Sequence, residues 1–126
     1  MFSTLSLVAL GGAIGASLRW LTGVAMLRAM GPSDFPLAII TVNVVGSFLM
    51  GVFVVAAAQR GLTHLSPFVM TGLLGGFTTF SAFSLETMTL IERGQIASAS
   101  LYILLSVGLS VGALALGLIL ARGVFA

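Results

Sequence analysis

Between Gly72 and Glu86 the chain reads GLLGGFTTFSAFSLE, a run that crowds together groups able to meet an ion. Adjacent Gly75 and Gly76 weaken a continuous helix, while Thr78 and Thr79 carry hydroxyls suited to capping the start of a second half-helix. Such an interruption releases backbone carbonyls, which suit a cation such as Na+, and half-helix amides, which suit an anion. The residues permit both. Past the interruption Phe80 and Phe83 share one helical face, with Ser84 beside them. A phenyl ring carries the positive rim of its quadrupole at its edge, so this pair either packs as apolar bulk or turns ring edges toward a small anion. Glu86 lies one turn further, near the mouth of the apolar stretch, and reads as a vestibule or helix-pairing group rather than a proton carrier.

Other polar residues inside apolar stretches deserve the same question, because an unsatisfied polar group in hydrocarbon is costly and so faces protein, water or substrate. Arg19 has two readings, a structural anchor whose long side chain reaches the headgroups or an anion-attracting vestibule. Asn43 offers two donors and an acceptor, for an ion or for a neighbouring helix. Ser106 and Ser110 are one turn apart, so their hydroxyls form a polar track unless each bonds back to its own helix. His64 falls in a loop and reads as solvated. With no cysteine, the chain has no disulfides or thiolate metal sites. Paired carboxylates and a nucleophile with its base are missing, which makes an enzyme the least suitable class.

The elements that must position these residues follow from composition. Of 126 residues 59% are hydrophobic and only 6% charged, too few for an ordinary solvated surface. The chain therefore reads as an all-α integral membrane protein, a single domain over residues 1–126. Apolar stretches long enough to cross a bilayer, about 20 residues each, alternate with short polar breaks. The spacing predicts four spans: about Leu5 to Leu27, Pro36 to Ala58, Ser66-Pro67 to Ile91, and Ile96 to Ala121. The first is too long, and followed too directly by others, for a cleaved signal peptide. The third carries the interruption near mid-membrane. Net charge is +2 from scattered arginines, without the basic patch that a nucleic-acid partner requires.

Arg60 and Arg122 fall on the amino-terminal side and Arg28 and Arg93 on the other, so the positive-inside rule scarcely chooses an orientation. That balance suits dual topology, with chains inserted both ways up pairing head to tail; short loops holding few arginines would look the same. Small residues four apart (Gly11 with Gly15, Gly12 with Ala16, Ser47 with Gly51, Gly108 with Gly112, Ala113 with Gly117) predict close helix packing, within one chain or between chains.

Four stretches in order, GGAIGASLRW, NVVGSF, GLLGGFTTFSAFSLE and SVGLS, resemble the Fluc family of fluoride channels over essentially the full length. The resemblance implies an antiparallel dual-topology homodimer in the cell inner (plasma) membrane, with two fluoride pores at the subunit interface. It also implies a central Na+ between the broken third helices, held by the backbone carbonyls of Gly75 and Thr78 from both subunits. By position, Phe80 and Phe83 match the pore phenylalanines and Asn43 the pore asparagine, while Ser81, Ser106 and Ser110 match the hydroxyl track. Arg19 matches a first-span arginine of structural or vestibular role. Hydrofluoric acid would enter neutral from an acidic exterior, dissociate in the cytoplasm, and the anion would leave passively, driven by the membrane potential. A small proton-coupled multidrug exporter shares four spans and antiparallel pairing, but needs an embedded carboxylate, usually in a first span, where this chain has only Arg19. A non-transporting membrane subunit would have no need of the interrupted third span.

Overall fold

The computed structural model describes residues 1–125, whose regular secondary structure is all helical. Helices α1 (Phe2–Met30) and α2 (Leu37–Arg60) are followed by a 3-10 turn (Thr63–Leu65) and a π-helix (Pro67–Leu74). Then come a short turn α3 (Gly75–Phe77), α4 (Ser81–Glu92) and α5 (Ile96–Phe125). In lipid each backbone polar group must find its partner inside the chain, which long apolar helices provide. Four helical stretches are long and apolar enough to cross a membrane: Phe2–Met30, Leu37–Arg60, Thr63–Glu92 and Ile96–Phe125. Even α2, with 24 residues, covers about 36 Å at 1.5 Å per residue, more than the hydrocarbon thickness.

The helices run further than the hydropathy pattern suggests. α1 begins at Phe2 and continues to Met30, where Gly31 (φ 75°) turns the chain and its N–H bonds the Leu27 carbonyl at 2.9 Å. α5 carries on past Ala121 to Phe125, with Arg122 in its last turn. Polar residues in the headgroup region interrupt hydropathy without interrupting helical hydrogen bonding. Gly61 (φ 67°, ψ 34°) ends α2 in a left-handed cap.

Packing divides the chain into two helix pairs. α2 lies chiefly on α5, and α1 chiefly on the π-helix and α3. Absent side chains let these backbones touch: a Cβ at Gly51 would overlap the Leu114 carbonyl, and one at Gly117 the Phe48 carbonyl. Across the other pair, a Cβ at Gly15 would strike the Leu73 carbonyl, and one at Gly76 would lie 2.7 Å from the Gly12 oxygen. The small-residue pairs of α1 and the Gly51 and Gly117 pairs thus pack within the chain. Gly108 and Gly112 do not; nothing lies within 4 Å of a Cβ at either position. A buried cluster of Ile40, Phe83, Leu90, Ala99 and Tyr102 joins α2, α4 and α5.

Loop contacts agree with alternating spans. Asp34, between α1 and α2, meets Arg93, between α4 and α5, at 3.4 Å. Both are more than half exposed, and an exposed pair contributes about 0–1 kcal/mol. At the other end the Arg60 guanidinium sits 5.4 Å over the Phe125 ring.

Candidate functional site

The third apolar stretch is not one regular helix. Its first part is wound as a π-helix from Pro67 to Leu74, followed by a single α-turn to Phe77. Thr78 is then extended (φ −84°, ψ 159°), and helical structure resumes at Ser81. Thr78 lies fifteen residues after Thr63 and fourteen before Glu92 (78 − 63 and 92 − 78), at the middle of the stretch. A π-turn is wider than an α-turn, and here its glycine Gly72 backs onto Val8 and Gly11 of α1. Neither the π-winding nor the preceding 3-10 turn was apparent from residue types; the π-helix packs against α1, the 3-10 turn against α2 and the π-helix.

The groups released at the interruption are taken up by other spans. The Thr79 N–H donates to Asn43 Oδ1 at 2.7 Å, and Asn43 Nδ2 donates to the Thr79 carbonyl at 2.9 Å. In a continuous helix that N–H would have gone to the Gly75 carbonyl, four residues back. Arg19 Nε donates to the Gly76 carbonyl at 3.1 Å. Arg19 therefore turns inward to the interruption instead of reaching for the headgroups. The longer α1 explains this, since Arg19 is eleven residues from its end at Met30 (30 − 19), about 16 Å at helical rise.

The two threonines part company. Thr79 Oγ1 accepts from the Ala82 N–H at 3.1 Å and so caps the resumed helix, as expected of it. Thr78 does not cap: its Oγ1 donates back to the Leu74 carbonyl at 2.9 Å, as its N–H does at 3.0 Å.

Beside the interruption is a cavity of about 290 Å³, lined by Asn43, Ser47, Thr78, Thr79, Phe80, Phe83, Ser106, Val107, Ser110 and Val111. Asn43, Thr78, Thr79, Phe80, Phe83, Ser106 and Ser110, all singled out from sequence, converge there, whereas Gly75 is not in the lining. Ser81 is exposed and its Oγ lies 3.3 Å from Thr79 Oγ1, outside the lining. Glu86 is half-buried with no ion pair among the described residues.

The Phe80 and Phe83 ring centroids are 5.3 Å apart with planes tilted by 42°. Their surroundings differ: Phe83 is 9% exposed, Phe80 75%. Ser106 Oγ and Ser110 Oγ are buried and have no hydrogen-bond partner. Neither serine bonds back to its own helix, unlike Ser84, whose Oγ donates to the Phe80 carbonyl.

Sequence reasoning missed Tyr102. It is fully buried, its ring centroid lies 5.2 Å from that of Phe83, and its hydroxyl too lacks a partner. Its place one turn before Ser106 on the same helix was the available signal.

Over residues 6–118 the chain matches the family described as "CrcB-like protein, Camphor Resistance (CrcB)". The chain belongs to the CrcB-like family. Its curated relatives include proteins named "Fluoride-specific ion channel FluC". That of Ruegeria sp. (strain TM1040) is 67% identical over 124 residues, 98% of each chain. That of Roseobacter denitrificans is 68% identical over 123 residues, covering 97% of this chain and 98% of its own. That of Jannaschia sp. (strain CCS1) is 72% identical over 105 residues, 80% of this chain and all of its own. The family match begins in α1 and ends in α5, so every residue of the cavity and interruption lies within CrcB-like sequence.

Proposed function

We propose that this protein is a fluoride-selective channel that lets cytoplasmic fluoride leave passively across the inner (plasma) membrane. The observation that carries the reading is the cavity beside the interruption, where an amide, two aromatic rings and unpaired hydroxyls face one space, in a chain whose relatives are named for fluoride. Fluoride is small and strongly hydrated, so a path must replace its water without holding it. A row of weak donors does this. Asn43 uses one Nδ2 hydrogen on Thr79 and keeps the other. Ser106 and Ser110 line the cavity with hydroxyls that have no partner, and Phe80 and Phe83 would offer ring edges. Ser81 stands beside Thr79 outside this lining and would join the row only through its exposed side, while Glu86 would serve as a vestibule or helix-pairing group. A full positive charge in that row would trap the ion, and Arg19 is instead turned to the Gly76 carbonyl.

The working unit is an antiparallel homodimer in which the third span acts as a helix broken at mid-membrane. One chain leaves Phe80 largely exposed at the cavity rim and Gly75, Gly108 and Gly112 uncovered. A second copy would cover these and close the path, and the near balance of arginines across the bilayer allows either orientation. Two symmetric paths follow.

Na+ at the dimer centre would be held by the Gly75 and Thr78 carbonyls of both chains. The donor set fits: Gly75 has lost its helical N–H partner to Asn43, Thr78 is extended, and carbonyl oxygens suit a hard cation. Bound there, Na+ would supply positive charge that joins the two interruptions.

The test is fluoride release from liposomes holding the purified protein, read by an ion-selective electrode beside chloride-loaded liposomes. Fast fluoride release with negligible chloride release is expected; no fluoride release from folded protein would overturn the reading.

A further inference from the structure

Thr78 is the residue at which the third span leaves helical geometry, and its side chain is gripped from opposite sides. Its Oγ1 and N–H both donate to the Leu74 carbonyl, at 2.9 Å and 3.0 Å. The remaining branch, the Cγ2 methyl, points into a gap on α2 at Gly46. Gly46 is buried, and a Cβ there would overlap Thr78 Cγ2 and press on Phe77 Cδ2 at 3.3 Å. Gly46 differs in this from Gly51, Gly15 and Gly117, where the opposing atoms are backbone of a packed helix. At Gly46 the opposing atoms are side-chain atoms, the Thr78 methyl nearest and the Phe77 ring edge beyond it.

From this we infer that Gly46 is a positioning residue for the cation site: its missing side chain admits the Thr78 methyl and thereby sets where the Thr78 carbonyl points. The inference rests on the reading of Thr78 as a Na+ ligand. A threonine has one strongly restricted χ1, so with Oγ1 bonded to Leu74 the methyl position follows, and any group at position 46 that displaces it must rotate the side chain or shift residue 78. Rotation would break the Oγ1 bond; a shift would move the carbonyl. Asn43 lies one turn before Gly46 on the same helix and holds Thr79 through its amide. One face of α2 therefore fixes two successive residues of the interruption, one by hydrogen bonds and one by an empty space.

The experiment uses full-length protein and four forms: wild type, Gly46→Ala, Thr78→Ser and the double variant. Thr78→Ser keeps Oγ and removes only the methyl that the new Cβ would meet. The primary readout is the Na+ concentration at the midpoint of thermal stabilisation, titrated against N-methylglucamine, with fluoride efflux measured in parallel. For Gly46→Ala the Na+ midpoint should rise at least about tenfold, while in the double variant it should return to within about threefold of wild type. A merely structural role would lower the melting temperature at every Na+ concentration and leave the midpoint unmoved, which would overturn the inference. So would a double variant no better than Gly46→Ala. Should Gly46→Ala not fold, recovery of folded protein with a wild-type Na+ midpoint in the double variant supports the inference, and failure to recover overturns it. A wild type that conducts fluoride but is not stabilised by Na+ removes the cation site and Gly46's role with it, leaving the channel reading standing. A wild type stabilised by Na+ that passes no fluoride removes the channel reading alone.

Discussion

Asn43 and Thr79 exchange two hydrogen bonds, the Thr79 N–H to Asn43 Oδ1 at 2.7 Å and Asn43 Nδ2 to the Thr79 carbonyl at 2.9 Å. An amide side chain on α2 thus pairs with a peptide group in the way a neighbouring β-strand would. It satisfies backbone that the interruption would otherwise leave bare in hydrocarbon, and it does so while facing the cavity.

Asn43→Asp tests that pairing. A carboxylate still accepts from the Thr79 N–H, but it sets an oxygen against the Thr79 carbonyl where a donor stood, and it places negative charge on the proposed anion path. Fluoride efflux should fall at least tenfold, and stability should drop by about 1–3 kcal/mol, the range for a buried polar group left unpaired. Efflux from liposomes and denaturation in detergent check the two parts.

Phe80 and Phe83 should separate function from folding. Phe80 is 75% exposed in one chain whereas Phe83 belongs to the buried cluster. Phe80→Ile should therefore cost little stability in the monomer fold, within about 0.5 kcal/mol as for exposed positions, while fluoride efflux drops sharply with the proposed dimer intact. Phe83→Ala should cost about 3–5 kcal/mol through the cavity it leaves. Unchanged efflux in Phe80→Ile would take that ring out of the path.

Removing an unpartnered hydroxyl breaks no hydrogen bond. Ser106→Ala and Ser110→Ala should leave thermal stability unchanged or raised by a fraction of about 1 kcal/mol, because their Oγ atoms are buried without partners. Fluoride efflux should nonetheless slow. A loss of stability would mean that the hydroxyls are bonded in the membrane and are structural.

Close helix approach should be sensitive at some glycines and not at others. At Gly51, Val would drive side-chain atoms into the Leu114 carbonyl, whereas nothing lies within 4 Å of a Cβ at Gly23. Gly51→Val should therefore abolish folded protein or cost about 3 kcal/mol, and Gly23→Ala should be silent, as size-exclusion profiles and melting temperatures would report.

Much of this architecture was legible in the residues themselves. Four apolar runs imply helices because hydrocarbon offers the backbone no other partner, and their order, their loops and the glycine and threonine pairs near the centre of the third are local properties. Asn43, Phe80, Phe83, Ser106 and Ser110 were each legible as polar or aromatic positions inside apolar runs, but only the resemblance implied that they share one path. Tertiary contact decided the rest. The π-winding of Pro67–Leu74, the inward turn of Arg19 to Gly76, the different fates of Thr78 and Thr79, the openness of Gly108 and Gly112 and the burial of Tyr102 all depend on which helix face meets which. Hydropathy reports how much a residue favours lipid over water, and spacing reports which residues share a face. Neither says which of several available donors reaches a freed carbonyl first, because that is set by distances between spans far apart in the chain.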